Sequence, residues 1–178
     1  MAIPAALFVQ KYNYKKGIIL GLILYAIGAL LFYPAAQFEV FGFFLVSLYI
    51  LTFGLAFLET TANPYILSMG DEKTATRRLN LAQSFNPIGS LLGMFVASKF
   101  ILSALDSDKR TATGELIFNT LDEAQKAVIR THDLLIIRNP YIILGFVVIA
   151  MLVVISISKM PSKAIENDNF KAIDSIKR

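Results

Sequence analysis

Four apolar stretches, each long enough to cross a bilayer as a helix, constrain the fold of this chain more than any other feature. They lie at residues 17–36, 41–69, 79–105 and 139–158, and a membrane-spanning helix needs about 17–25 predominantly apolar residues. The second and third stretches exceed that minimum, so we expect tilt or internal breaks in them. The pattern predicts an all-α fold, a polytopic transmembrane helix bundle.

The composition agrees with a membrane protein. Hydrophobic residues make up 56% of the chain and charged residues only 17%, whereas a soluble domain carries about 25% charged residues. The net charge of +4 is modest, and the basic side chains cluster in segment ends and loops. We interpret them as setting orientation in the lipid bilayer, and we expect no nucleic-acid partner. Cysteine is absent, which excludes a disulfide framework and a thiolate metal site.

The basic residues in the connections favour alternate sides of the predicted membrane. No lysine or arginine lies in the link at 34–39, whereas the loop at 106–138 carries several and breaks the alternation. Because long loops follow the positive-inside rule weakly, we place that loop outside, with a short surface helix expected within 121–137. The basic residues assigned to the cytoplasmic side are Lys11, Lys15, Lys16, Lys73, Arg77, Arg78, Lys159, Lys163, Lys171, Lys177 and Arg178.

The opening segment and the tail differ from the spanning stretches. Residues 1–10 are apolar but too short to cross a bilayer, and no basic region or cleavage site marks them as a signal peptide. They look like the end of a helix whose beginning is missing, so the chain is expected to be a fragment. Residues 1–160 are predicted to form one partial transmembrane domain, and residues 161–178 a polar cytoplasmic linker.

One carboxylate lies deep inside an apolar stretch. No charged residue other than Glu59 occurs between Glu39 and Asp71, and a glutamate at that depth costs on the order of a few kcal/mol to insert. Burial disfavours the charged form of a carboxylate, so Glu59 is a candidate to bind and release a proton; the alternative is a structural carboxylate paired with a neighbouring helix. Asn63 shares its helical face, and Pro64 removes a backbone donor and weakens the helix.

A polar stripe follows on the next predicted helix. Its members are spaced by three, three and four residues, so they share one helical face. Amide side chains both donate and accept hydrogen bonds, which suits a sugar ligand, and hydrogen bonding between helices is an equal alternative. The stripe consists of Asn80, Gln83, Asn86 and Ser90.

Other sequence features favour structural roles. Small residues recur at every fourth position, which we interpret as close helix packing. His132 is the one histidine, and we expect it to be solvated and to form no metal site. No nucleotide-binding glycine loop or nucleophile triad occurs, so we expect neither a cofactor nor an enzyme. The small residues are Gly17 and Gly21 in one stretch, and Gly89, Gly93 and Ala97 in another.

Several sequence blocks carry a family resemblance. They read Leu-Glu-Thr-Thr-Ala-Asn-Pro at 58–64, Arg-Leu-Asn-Leu-Ala-Gln-Ser-Phe-Asn at 78–86 and Asn-Pro-Tyr at 139–141, together with Ile-Pro-Ala at 3–5 and the stretch at 14–30. In chain order they closely resemble the L-fucose:proton symporters of the major facilitator superfamily, whose pattern the bacterial glucose/galactose transporters share. The resemblance covers residues 1–161.

The resemblance implies a fold, a substrate class and functional residues. The fold is twelve helices in two six-helix halves, of which this chain is part of the N-terminal half. Glu59 is implied in sugar binding and proton coupling, with Asn63 on the same face, and Gln83 and Asn86 in the sugar site near the bilayer midplane. The implied partners are a proton, a hexose or deoxyhexose (L-fucose, glucose or galactose) and the missing remainder of the transporter, in a bacterial inner membrane.

Two other functions stay open on the sequence alone. A small stand-alone membrane protein with a structural or regulatory role would associate through its glycine-rich faces. A membrane-embedded enzyme would need a second catalytic group near Glu59, and none is evident in the sequence.

Overall fold

The computed structural model describes residues 2–111 and 114–160. The secondary-structure elements in those ranges are all helices, which confirms the all-α prediction. The predicted linker at 161–178 lies outside the described residues. The α-helices are α1 (Ala2–Lys11), α2 (Tyr14–Leu30), α3 (Phe32–Phe38), α4 (Phe41–Ser68), α5 (Ala75–Gln83), α6 (Phe85–Val96) and α7 (Glu123–Ile157). Short 3-10 helices occupy Glu72–Thr74 and Ile117–Thr120, and a π-helix occupies Ala97–Leu102.

Four helical segments within the described ranges are long and apolar enough to cross a membrane, as the sequence predicts. We call them the first span (Tyr14–Phe38), the second span (Phe41–Ser68), the third span (Glu72–Leu102) and the fourth span (Glu123–Ile157). The expected break occurs in the third span, where Ser84 separates α5 from α6 and the far end winds as the π-helix.

The fourth span begins earlier than the sequence predicts. The surface helix expected within 121–137 and the helix expected from residue 139 are one continuous helix, α7. Its start is fixed by a capping box, in which the Asp122 carboxylate accepts the Gln125 N–H at 2.7 Å and offsets the unpaired donors of the first turn. Pro140 lies inside this helix, where it removes one donor without ending the helix.

The first and second spans pack with their backbones nearly in contact. A Cβ atom added to Gly28 would lie 2.3 Å from the Leu51 nitrogen, and one added to Gly54 would lie 2.4 Å from the Tyr25 nitrogen. Such approach is available only to glycine, and it is how helices associate in lipid, where no hydrophobic effect drives them together. The close-packing interpretation is confirmed at Gly17 and Gly21, which face residues of α4.

The second glycine repeat behaves differently. Gly89 and Gly93, on the third span, have no atom of a neighbouring element within 4 Å of an added Cβ in the described structure. The third span is exposed along nearly its whole length, so close packing at these two glycines stays a prediction.

The start of α7 and the 34–39 link lie at the same end of the bundle. Thr131 donates its hydroxyl to the Glu39 carboxylate at 2.7 Å, and the Arg138 guanidinium lies over the Tyr33 ring at 5.0 Å. We call this the outer end, following the predicted orientation, and the opposite one the inner end. The contacts agree with the prediction that the 34–39 link and the 106–138 loop share one side.

The inner end of α7 is held against the start of α2. The Lys15 ammonium donates to the carbonyls of Ser156 and Ser158, both at 2.8 Å. The last carbonyls of a helix lack partners within it and carry partial negative charge, so a lysine there satisfies and stabilises them. Further out, Tyr141 of α7 stacks on Phe32 with ring centroids 3.8 Å apart.

Replacing Lys15 should therefore loosen the inner end of α7. We expect Lys15→Met to lower the free energy of unfolding by about 1 kcal/mol and to speed amide hydrogen exchange in the last turn of α7. Lys73→Met is the matched control, because the Lys73 ammonium has no hydrogen bond or ion pair within the described residues. Equal exchange rates in the two variants would contradict the assigned contact.

Candidate functional site

Glu59 lies on the face of α4 opposite to the one that packs on α2. The buried positions of α4 recur every three or four residues, and Glu59 falls between them with an exposed side chain. No hydrogen bond or ion pair joins its carboxylate to another residue in the described parts of the chain. Glu59 is thus not buried among the described helices. The alternative role, a structural carboxylate paired with a neighbouring helix, finds no pairing residue in the described structure. The buried positions are Ser47, Leu51, Gly54, Phe57, Thr61 and Tyr65.

Asn63 extends the same face by one turn. Its amide is half-exposed, and a separation of four residues places it beside Glu59. The hydroxyls between them are already used, because Thr60 donates to the Ala56 carbonyl at 2.7 Å and Thr61 to the Phe57 carbonyl at 3.0 Å. The polar groups that remain free for a ligand at this level of α4 are the carboxylate and the amide.

Pro64 does not break α4. The helix continues from Phe41 to Ser68 with the proline inside it, so the weak point consists of one missing hydrogen bond to the Thr60 carbonyl. The neighbouring helical bonds keep the segment regular, and Glu59 and Asn63 retain helical spacing.

Gln83 and Asn86 lie on either side of the irregularity in the third span. Gln83 ends α5, Ser84 separates the helices, and Asn86 is the second residue of α6. Both amides are exposed, as are Asn80 and Ser90, and none of the four side chains has a hydrogen-bond partner within 2–111 or 114–160. Hydrogen bonding between helices, the alternative interpretation of the stripe, is therefore not found in the described structure.

The helix that carries Glu59 and Asn63 contacts the helix that ends at Gln83. The third span follows α4 after the turn at 69–74, and its first α-helix, α5, contacts α4. No hydrogen bond joins the Glu59–Asn63 pair to the Gln83–Asn86 pair in the described chain, so each pair is free to contact a third molecule. A carboxylate with three amides offers acceptors and donors to a polyhydroxylated ligand.

The described structure also has a polar cluster at the outer end. The Asp106 carboxylate lies 3.1 Å from Nδ1 of His132 and 2.6 Å from the Lys109 ammonium. Hydrogen bonding and charge attraction from Asp106 raise the pKa of Lys109. The prediction that His132 is simply solvated is therefore incomplete: half of its side chain is exposed, and the ring nitrogen contacts a carboxylate.

This cluster contains possible metal ligands. One atom each from Asp106, His132 and Asp133 lies within 4.8 Å of the other two. However, both Asp133 oxygens accept backbone N–H groups, and the second Asp106 oxygen binds Lys109. The donor atoms already satisfy protein groups, so we assign the cluster a structural role.

An apolar groove of about 560 Å³ lies between the third span and α7. Asn139 is the one polar side chain that lines it, and none of Glu59, Asn63, Gln83 or Asn86 does. The groove is separate from the polar faces described above, and its lining offers no charge for a proton or a set of partners for a sugar.

Sequence reasoning missed two residues that organise the bundle, Lys15 and Asp133. Both act on backbone groups far away in sequence, at separations of 141 and 26–27 residues. For Asp133, the available sequence signal was an acidic residue directly before the apolar run that begins at Leu134. Nothing in the sequence distinguishes Lys15 from Lys16.

Comparisons with a family model and with known proteins all point to one family of transporters. Residues 1–175 match the family model described as Major Facilitator Superfamily. The chain is 71% identical over 166 residues to the L-fucose-proton symporter of Haemophilus influenzae, covering 93% of this chain and 39% of that protein. It is 36% identical to the L-fucose-proton symporter of Escherichia coli (94% and 36% covered) and 32% identical to the glucose/galactose transporter of Brucella abortus (90% and 34% covered).

A solved structure shows the same fold. The crystal structure of a single-residue variant of the E. coli fucose:proton symporter, FucP, matches this chain with a TM-score of 0.80 and 35% sequence identity, over 90% of this chain and 38% of that one. The chain therefore spans less than two fifths of the length of these relatives, and its helices are arranged as in the corresponding part of that transporter.

Proposed function

This chain belongs to the major facilitator superfamily, and from that premise we propose that it forms part of a proton-coupled sugar transporter. In this proposal residues 1–160 belong to the N-terminal half of the bundle, and residues 161–178 lead into the cytoplasmic connection. The other half supplies the facing wall of the substrate cavity. Placement in the inner membrane of a bacterium, with several crossings, belongs to the same proposal and is supported by the four apolar spans.

The observation that carries the proposal is the unpartnered carboxylate of Glu59 in the middle of the second span. An ionisable side chain in a membrane helix is expensive, and it is usually retained because it faces an ion or substrate pathway. Glu59 points away from α2 and has no cationic partner within the described residues. A proton that binds there from one side of the membrane and leaves to the other is the simplest use of such a group.

The amides define the substrate side of the proposal. Asn63, Gln83 and Asn86 are free of protein partners in the described structure, and each presents a carbonyl and an NH₂ group. Sugar hydroxyls likewise donate and accept, so a monosaccharide satisfies these groups better than an apolar ligand does. The names of the similar proteins, L-fucose-proton symporter and glucose/galactose transporter, support a deoxyhexose or hexose as that sugar.

Transport without covalent chemistry is the activity that fits these groups. A carboxylate and three amides provide reversible hydrogen bonds and one titratable site, which is what binding and release across a membrane require. Neither a cofactor nor a metal is part of the proposal.

The test is sugar uptake by the full-length protein in proteoliposomes. With an inward proton gradient imposed, radiolabelled L-fucose, D-galactose and D-glucose are each offered, and we expect accumulation of at least one of them above the external concentration. A protonophore should remove the accumulation. The proposal would be overturned if the uptake of all three sugars did not depend on the proton gradient.

The amides should contribute to sugar affinity. We expect Asn86→Ala and Gln83→Ala each to weaken sugar binding by about two- to tenfold, since a lost hydrogen bond costs roughly 0.5–1.5 kcal/mol and about 1.4 kcal/mol is a factor of ten. Asn119→Ala is the matched control, because Asn119 is an exposed amide in the outer loop. Binding is measured by substrate protection or calorimetry on the intact protein. Wild-type affinity in both variants would remove these residues from the site.

A further inference from the structure

The outer end of the third span is attached to α7 by one buried carboxylate. Asp133 lies in α7 with 6% of its surface exposed. One of its oxygens accepts the Asp106 N–H at 2.9 Å, and the other accepts the Ser107 N–H at 3.0 Å. These two amides follow shortly after the π-helix that ends the third span, so Asp133 bridges elements 26–27 residues apart.

Two oxygens accepting two successive backbone donors make a directional attachment. Hydrogen bonds to an ionised carboxylate are stronger than neutral ones, and a buried carboxylate needs such partners to be tolerated. Two further side chains lie at the attachment: His132 lies 3.6 Å from an Asp133 oxygen, and Lys109 binds the side chain of Asp106. They stabilise the loop around the two amides.

The inner end of the third span has a corresponding attachment to the second span. The Arg78 guanidinium donates to the carbonyls of Asp71, at 2.9 Å, and Leu67, at 3.4 Å. Between these two attachments, from 79 to 105, no hydrogen bond, ion pair or ring contact joins the third span to another element in the described chain. Gln83 and Asn86 lie in this stretch, next to the irregularity at Ser84.

From this arrangement we propose that Asp133 is a positioning residue for the third span. It fixes the outer end of that span against α7, and with Arg78 at the other end it holds Gln83 and Asn86 at a set distance from Glu59 and Asn63. The functional part of this inference rests on the proposed sugar site. The positional part does not, because it concerns the geometry of helices alone.

The experiment measures helix distances and sugar affinity in the intact transporter. Spin labels are attached to cysteines introduced at Leu102 and Val128, both exposed at the outer end, and in a second sample at Leu81 and Val154, both exposed nearer the inner end. The 178 residues contain no cysteine, so within them only the introduced sites react. Distances are compared in wild type, Asp133→Ala and Asp133→Asn.

In Asp133→Ala we expect a broader and longer outer distance distribution with an unchanged inner one. The KM for sugar should rise between about tenfold and a hundredfold, the scale of loss when binding groups shift by about an ångström, with the maximal rate less affected. Asp133→Asn keeps one acceptor oxygen, so its outer distance and its KM should lie between those of wild type and Asp133→Ala. This milder variant also decides the question if Asp133→Ala does not fold.

Two controls separate positioning from a general effect of charge or side-chain removal. Asp108→Asn removes a neighbouring exposed aspartate that has no partner in the described residues, and it should leave both distances unchanged. Ser107→Ala keeps the backbone N–H that Asp133 binds and removes only the hydroxyl, so its outer distance should shift less than that of Asp133→Ala. A wild-type outer distance in both Asp133 variants would overturn the positional inference.

The readouts distinguish this inference from the proposed function. The distances need no sugar, so they decide the role of Asp133 even if the wild-type protein proves not to transport one. A changed outer distance with an unchanged KM would overturn the link from Asp133 to the sugar site.

Discussion

We expect Glu59→Gln to abolish proton-driven sugar accumulation by the intact transporter. Glutamine keeps the size and hydrogen-bonding capacity of the side chain but has no carboxylate to bind and release a proton. If one proton moves with each sugar, a gradient of about one pH unit drives about tenfold accumulation in the wild type, because one unit corresponds to about 1.36 kcal/mol. The variant should only equilibrate the sugar across the membrane, as measured in proteoliposomes with an imposed gradient.

The control for this experiment is Glu72, a carboxylate outside the apolar part of the spans. Glu72 lies in the turn at the inner end of the third span, and its side chain has no partner in the described parts of the chain. Glu72→Gln makes the same chemical change outside the proposed pathway, so accumulation should persist. Accumulation that survives in Glu59→Gln would remove Glu59 from proton coupling and leave the sugar-binding proposal to the three amides.

The second large effect is expected at the contact between α2 and α4. Gly28→Ala would place a methyl group 2.3 Å from a backbone nitrogen of α4, and a backbone atom has no rotamer with which to move aside. The helices must separate, so we expect a loss of about 1–3 kcal/mol of stability and a clear drop in the melting temperature in detergent. Gly54→Ala should behave alike, since its methyl group would meet the backbone of α2 at Tyr25.

Gly42→Ala is the matched control for the packing prediction. Gly42 lies in the same helix as Gly54, and an added Cβ has no neighbouring atom within 4 Å in the described structure. Alanine is the better helix former by about 0.5–1 kcal/mol, so this variant should be as stable as wild type or more so. The double variant Gly28→Ala/Gly54→Ala should lose less than the sum of the single losses, because both methyl groups separate the same pair of helices. Equal melting temperatures for all variants would contradict the close approach.

The number and approximate place of the spans could be predicted because the bilayer imposes one length and one composition on every crossing helix. The start of the fourth span could not be found that way. The sequence from residue 121 mixes apolar and charged residues, and Asn139-Pro140 is typical of a helix start. The structure extends the helix back to Glu123, where Asp122 and Gln125 form a capping box.

The candidate site was predictable in part, for a related reason. Helical spacing was enough to predict that Glu59 lies beside Asn63 and that Gln83 lies beside Asn86, because the members of each pair are only three or four residues apart. Burial was not predictable from the apolar run, because an apolar sequence in a membrane helix faces lipid and protein alike; Glu59 is exposed on the described bundle. The Asp133 attachment depends on backbone donors 26–27 residues away, and no local pattern encodes such a partner.

The continuity of α7 has a consequence for experiments outside the membrane. A helix of 35 residues is about 52 Å long at about 1.5 Å per residue, whereas the hydrocarbon core is about 30 Å thick. Several turns at its outer end therefore stand clear of the lipid as a rigid rod, fastened to the bundle through Thr131 and Asp133. A soluble antibody fragment raised against this rod would be coupled stiffly to the helices below it, and so would serve as an orientation marker for single-particle imaging.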